Sequence, residues 1–211
     1  YTPTEGDIRL EGASLIGLKP NEVASRGLGR TFQNLCLWRH MTVLEHVMMA
    51  RYSKLTYGLV GAFFGTAKRK REEAESRERA MGLLKLLSID HLWEQTVLNL
   101  PYGAQRRVEM ARALAMDPKI LFLDEPTAGL DPIGAAAFDE LINQLQTTLG
   151  LTVFMVTHDL DTLHAVCDRI AVLAEKRVYV TGTMKDMLKV DHPWVHEYFH
   201  GPRARAAGFE S

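Results

Sequence analysis

Cysteine is scarce in this chain: Cys36 and Cys167 are the only two in 211 residues. They form neither a metal-ligand spacing nor a disulfide framework, so the expectation is a pair of buried, reduced thiols. That usage fits a reducing compartment such as the cytoplasm. Long apolar runs are missing as well. The best candidate, Gly58 to Gly65, falls far short of the roughly 18–20 residues that a membrane-spanning helix needs, and the opening Tyr1-Thr2-Pro3-Thr4-Glu5-Gly6-Asp7 has no signal-peptide character. Any membrane role is therefore expected to run through a partner. Neither charge dominates: 25 Lys and Arg stand against 26 Asp and Glu, a formal net charge of −1. This balance excludes a general nucleic-acid binder held by phosphate neutralisation. What the chain does have is a hydrophobic fraction of 46% with 24% charged residues, enough for one globular unit with a small appended subdomain.

Asp7-Ile8-Arg9-Leu10 alternates as a half-exposed strand entering a turn at Gly12, Asn21 to Ser25 reads as a short helix after Pro20, and Leu28 to Phe32 as a strand ending at Gln33. From Val43 to about Leu98 the pattern is helical. Val43, Val47 and Ala50 keep one face, and Lys68 to Leu87 reads as a long helix turning Leu83, Leu84, Leu86 and Leu87 toward a core. The polar start of that helix sets opposite charges four apart at Lys68/Glu72, Arg69/Glu73 and Arg71/Glu75, as on a solvated face. After Leu100 helix and strand alternate. Gln105 to Ala115 reads as a helix and Ile120 to Leu123 as a strand covered on both faces. Ala135 to Leu149 is a helix with Phe138, Leu141, Ile142 and Leu145 on one side. Thr152 to Val156 reads as a second buried strand, followed by a helix through Val166 and strands at Ile170 to Leu173 and Val178 to Val180. Such alternation predicts a largely parallel α/β sheet.

The string Ile120-Leu121-Phe122-Leu123-Asp124-Glu125-Pro126 ends a buried strand in two adjacent carboxylates, at the sheet edge where such folds bind ligands. One acid there suits Mg²⁺ and its neighbour an attacking water. Taken alone, the pair is equally a cap for the next helix. A second apolar strand, Thr152 to Thr157, ends in His158-Asp159, one helix and one strand later. Upstream, Leu100-Pro101-Tyr102-Gly103-Ala104-Gln105 opens a helix whose N-terminus favours an anion, with Gly103 allowing close approach to the backbone.

These strings, in this order and spacing, closely resemble the ABC transporter ATPases over essentially the whole chain. The resemblance implies an α/β, P-loop NTPase-like parallel sheet core with an inserted helical subdomain. It makes Gln33, in Arg30-Thr31-Phe32-Gln33, the Q-loop glutamine and Leu100, Pro101, Tyr102, Gly103 and Ala104 the signature. Asp124 becomes the Walker B acid, Glu125 the catalytic carboxylate, Asp131 part of the D-loop and His158 the switch histidine. ATP and Mg²⁺ are the implied cofactors, with Asp124 and Gln33 at the metal. The implied partners are a second ATPase subunit, paired head to tail, and membrane-spanning permease subunits, with no nucleic acid. The implied place is the cytoplasmic face of the plasma membrane, in peripheral association. The expected organisation is a remainder of the nucleotide-binding core over residues 1–42, a helical subdomain over 43–105, an α/β core over 106–190 and a tail over 191–211.

Three departures qualify that resemblance. No G-x-x-x-x-G-K-S/T string occurs in the 211 residues, and Tyr1 to Gly6 resembles the stretch that follows the phosphate-loop helix in the family. The expectation is that these residues alone have no useful ATP affinity or turnover, and that apolar sheet surface is exposed. The signature is altered: Pro101 replaces a serine and Ala104 a glutamine, a loss of about 1–3 kcal/mol if the missing hydroxyl contact is not replaced. Finally, residues 1–125 resemble ATPases of branched-chain amino-acid importers, through Arg30 to Asn34, Met41 to Glu45 and Leu100 to Gly103. Residues 126–211 resemble ATPases of phospholipid-trafficking, Mce-type transporters, through Asp159 to Leu163 and His192 to Arg205. His192, His196 and His200 recur four apart, but Pro193, Gly201 and Pro202 argue against a regular metal-binding helix.

Overall fold

A computed structural model describes residues 5–32, 35–56 and 66–201. Gln33, the apolar stretch Gly58 to Gly65 and the basic tail residues Arg203 and Arg205 lie outside them. By internal packing the chain divides into two compact units, one of residues 1–124 with 145–155, the other of residues 125–144 with 156–211. The helical segment expected over 43–105 lies wholly inside the first. No helix among the described residues is long and apolar enough to cross a membrane.

The first unit opens with a two-stranded hairpin, β1 (Arg9–Leu10) and β2 (Ala13–Ser14), then helix α1 (Pro20–Ser25) and strand β3 (Leu28–Arg30). Gly27 joins α1 to β3 at a φ of 100°, and its carbonyl accepts the N–H groups of both Lys119 and Ile120. A side chain there would be strained in backbone and would meet Lys119 at 3.0 Å. Strand β3 pairs in parallel with β4 (Ile120–Asp124), Gly29 opposite Leu121. Strand β5 (Thr152–Val156) completes the order β3-β4-β5.

Three longer helices follow among the described residues of this unit. Helix α2 (Val43–Arg51) starts at a reciprocal cap between Thr42 and Glu45. Helix α3 (Ala67–Leu86) is mostly charged, and the three i,i+4 pairs read from the sequence all form, the closest being Arg69–Glu73 at 2.8 Å. Such exposed pairs contribute little; the helix is held by its apolar seam of Ala80, Leu84 and Leu87, all fully buried. Leu83 and Leu86 are only half-buried at its margin. Helix α4 (Tyr102–Leu114) brings Val108, Met110 and Ala111 into the same core as Val43 and Val47 of α2.

Burial on the sheet departs from the sequence reading. Leu121 and Leu123 of β4 are buried, but the alternate residues Ile120, Phe122 and Asp124 are only half-covered. In β5 the alternation is stronger still: Phe154 and Val156 are exposed while Val153 and Met155 are half-covered. Neither strand is buried on both faces, and β5 lies at the end of the described sheet. Phe122 and Phe154 cover one another instead, with ring centroids 5.2 Å apart. Cys36 also corrects the expectation, being exposed; Cys167 is half-buried, and neither forms a disulfide.

The second unit is built from the N-terminal part of helix α5 (Pro132–Leu149), helix α6 (Leu160–Val166), a hairpin of β6 (Ile170–Ala174) and β7 (Arg177–Gly182), and helices α7 (Met184–Met187) and α8 (Pro193–His200). The β6–β7 ladder is antiparallel, and its two-residue turn places both Glu175 and Lys176 at positive φ, as a tight hairpin demands. Ile170, Val172, Met187, Val195 and Phe199 form its core. Beside it runs a buried polar chain: the Thr162 hydroxyl donates to Asp139 Oδ2 at 3.0 Å and lies 3.3 Å from the Thr127 hydroxyl.

Asp139 is 4% exposed, and its Oδ1 has no hydrogen-bond partner among the described residues. Burial pushes its carboxyl up to about 6 against the pull of the Thr162 hydroxyl, and the charges of Asp159 and Asp161 push the same way. An acid raised above its unfolded value of 3.8 contributes most below that pH, and its contribution is lost as pH rises through about 6. Asp139→Asn, whose amide oxygen still accepts from Thr162, is therefore expected to be more stable than wild type at pH 7 by roughly 1–2 kcal/mol. Thermal melts at pH 7 and pH 4 check this: the gap closes at the lower pH, and a constant gap would remove the ionisation account.

Candidate functional site

The end of β4 carries the two adjacent carboxylates. Asp124 closes the strand with its side chain one-third exposed, and the Arg30 guanidinium from neighbouring β3 lies 3.6 Å from its Oδ2. Arg30 also rests over the Phe32 ring at 5.0 Å. Mg²⁺ takes one or two carboxylates and fills its shell with phosphate oxygens and water. A single, partly exposed strand-end carboxylate fits that pattern. Gln33, the other expected ligand, lies outside the described residues. Among the described residues no group of three or more His, Cys, Asp or Glu is placed to hold a metal. The histidine series on α8 is occupied otherwise: His192 Nδ1 caps the helix by accepting from Val195 N–H, His196 and His200 stack at 4.5 Å, and His200 Nε2 bonds the Leu188 carbonyl.

Glu125 follows at a φ of 46°, a left-handed conformation that a non-glycine residue adopts at a cost. Its N–H donates to the Val156 carbonyl at 2.8 Å. With Thr152 N–H bonded to the Lys119 carbonyl at the opposite end, β5 runs parallel to β4. That registry sets the segment after β5 against Glu125. His158 Nδ1 sits 2.7 Å from Glu125 Oε1, and the Thr157 hydroxyl lies 3.4 Å from Oε2. The carboxylate can only accept, so Nδ1 carries the proton and Nε2 is the ring nitrogen left for another partner. Glu125 is 15% exposed in its side chain and His158 80%, so a shielded acid is joined to an open imidazole. The sequence reading brought Glu125 and His158 to one place, and the structure joins them. It named Thr157 only as the end of a strand; the hydroxyl facing Glu125 was not foreseen.

The signature opens α4. Pro101 stands just outside the first helical residue, and its carbonyl accepts from Ala104 and Gln105, so the helix begins at Tyr102, three residues earlier than the periodicity suggested. Leu100 is buried, and its carbonyl accepts from the Gln105 side chain. Tyr102 is 41% exposed, with the Arg106 guanidinium 5.3 Å from its ring. The N–H groups of the first turn, Tyr102 and Gly103, have no acceptor within a helix, which is what makes such an end attractive to a phosphate.

The same helix grips the chain on both sides of Gln33. Arg106 donates to the Phe32 carbonyl at 3.2 Å, Phe32 N–H donates to Glu109 Oε1 at 3.3 Å, and Arg112 donates to the Cys36 carbonyl. Glu109 is buried, and desolvation raises its carboxyl against the opposing pull of Phe32 N–H, Arg112 and Arg106. No sequence pattern singled out this trio. Three charged residues at helical spacing look like a solvated face until the segment they hold is placed on them. Asp131, expected at a nucleotide, caps α5: its Oδ1 accepts from Gly134 N–H at 3.0 Å.

The family model described as ABC transporter matches residues 1–128. The chain is 36% identical over 183 residues to the high-affinity branched-chain amino acid transport ATP-binding protein LivG of Escherichia coli, covering 87% of this chain and 72% of that protein. It is 33% identical over 201 residues to BraF of Pseudomonas aeruginosa, also a high-affinity branched-chain amino acid transport ATP-binding protein, covering 95% and 78%. Both alignments run well past residue 125. Among solved structures, the ADP conformation of MJ1267, an ATP-binding cassette of an ABC transporter, superposes with a TM-score of 0.75 at 28% identity, over 94% of this chain and 78% of that one. A matched family model over more than half the chain, curated relatives above 30% identity along most of their length, and the same cassette fold together establish that this chain belongs to the ABC transporter family, as an ATP-binding subunit.

Proposed function

We propose that this chain hydrolyses ATP to drive import of branched-chain amino acids. The observation that carries the catalytic part is the Glu125–His158 pair at 2.7 Å, at the C-terminal ends of adjacent parallel strands. Held by Val156 through its backbone and by Thr157 and His158 through its side chain, Glu125 orients and deprotonates the attacking water. His158 keeps Nδ1 on Glu125 and offers Nε2 to the γ-phosphate. Asp124 and Gln33 hold Mg²⁺, which when bound neutralises charge developing on the phosphates. Leu100 to Gly103 present the α4 N-terminus to ATP held by a second subunit paired head to tail, with Asp131 at the same boundary. The names of the relatives LivG and BraF support the choice of solute. A permease receives the helical segment, and the subunit works peripherally at the cytoplasmic face of the membrane.

Because no phosphate-loop string occurs among the 211 residues, these residues by themselves supply a half-site. Titrating them with a fluorescent ATP analogue and Mg²⁺ is expected to show no binding, and binding is expected to return when a phosphate-loop segment is joined to them. Tight binding by the chain alone would end this reading. In an assembly that carries this segment on the Glu125 subunit, Glu125→Gln is expected to keep ATP affinity within about twofold while lowering kcat by at least 10²-fold. Normal turnover by that variant would strip Glu125 of its role.

A second reading rests on the tail. Asp159 to Leu163 and His192 to Arg205 resemble Mce-type phospholipid-transporter ATPases, and a phospholipid is then the cargo. Exchanging residues 43–98 for those of an Mce-type ATPase separates the two. Under the amino-acid reading the co-purifying permease follows the exchanged segment; a permease that follows the tail instead favours the phospholipid.

A further inference from the structure

The most exposed member of the Glu125 cluster is His158. His158 is 80% exposed in its side chain, so packing does little to fix it. Among the described residues two bonds hold it, one at each end: Nδ1 to Glu125 Oε1, and its main-chain carbonyl, which accepts the Tyr198 hydroxyl at 2.7 Å. That carbonyl precedes the ladder of α6, whose first acceptor is the Asp159 carbonyl taking Leu163 N–H. The helix therefore does not restrain it. The side-chain hydroxyl from α8 does.

Tyr198 is itself well anchored. Val195 and Phe199, on either side of it along α8, are buried in the core with Ile170, Val172 and Met187. Trp194, one turn earlier, stacks on the Tyr198 ring at 5.3 Å and 21°. Burial, with Asp159 and Glu125 nearby, pushes the phenol above its usual range, so the hydroxyl stays a donor throughout the working pH range. Across the same turn, the Thr157 hydroxyl accepts from Asp159 N–H at 3.1 Å and reaches toward Glu125 Oε2. The peptide plane between His158 and Asp159 is thus pinned on its N–H side by Thr157 and on its carbonyl side by Tyr198.

We infer that Tyr198 is a positioning residue for His158: its hydroxyl fixes the main chain at His158 so that the exposed imidazole stays directed at Glu125. The catalytic consequence rests on the ATPase role proposed above; the structural one does not. Tyr198→Phe keeps the ring, the Trp194 stack and the buried flanks of α8 while deleting the bond. In the full chain with carbonyl-labelled histidine, the variant is expected to move the His158 carbonyl carbon resonance and broaden its imidazole signals, with the circular dichroism spectrum unchanged. In an assembly whose phosphate-loop segment is joined to this chain, kcat is expected to fall about three- to tenfold with KM for ATP unchanged, the scale of one lost hydrogen bond. Unmoved His158 resonances overturn the inference, as does an unchanged kcat in an active assembly. If the wild-type assembly hydrolyses no ATP, the proposed activity fails, and the resonances alone decide for or against Tyr198.

Discussion

The backbone of Glu125 is the constraint on which the candidate site depends. Two consecutive residues of a strand face opposite sides of a sheet, so adjacent carboxylates cannot both serve one edge unless the strand stops between them. It stops by entering the left-handed region at a residue with a full side chain, which costs on the order of 1 kcal/mol. The bond from Glu125 N–H to the Val156 carbonyl holds that conformation and continues the parallel pairing by one residue. As a result Asp124 faces Arg30, and Glu125 faces the loop after β5 with His158 and Thr157. One strained dihedral separates the two acids into different surroundings.

Much of this was legible in the residues. The apolar strands ending in Asp124-Glu125 and in Thr157-His158 have the composition and length of parallel strands, and parallel pairing brings strand ends together whatever the loops do. The faces of α3 and α5 follow from spacing alone, and Leu84, Leu87, Phe138, Leu141, Ile142 and Leu145 are all buried as read. Burial of β4 and β5 was overestimated for a physical reason. A continuous apolar run looks the same whether one face or two are covered, and Phe154 at 54% exposure shows that composition does not settle the matter. Tyr198 and Glu109 were not legible at all. Each acts on a main-chain atom 40 or 77 residues distant, and such partners carry no side-chain pattern to reveal them.

The two units manage their buried polar groups differently. In the first, Glu109 is compensated by Arg106, Arg112 and a backbone N–H, and the cluster is spent on holding another segment. In the second, Asp139 has a single hydroxyl and nearby negative charge, and its other oxygen is unanswered. The first arrangement is what a buried charge needs to persist at neutral pH; the second leaves a charge that the fold tolerates at a cost.

The hydrogen bonds that Arg106, Glu109 and Arg112 of α4 make to Phe32 and Cys36 go to peptide groups: the carbonyl and N–H of Phe32 and the carbonyl of Cys36. Recognition of that kind is indifferent to side-chain identity. The flanks of the glutamine can therefore drift in size and polarity while these bonds to the helix are kept. Proline at position 32 falls outside this latitude, because it deletes the N–H that Glu109 accepts.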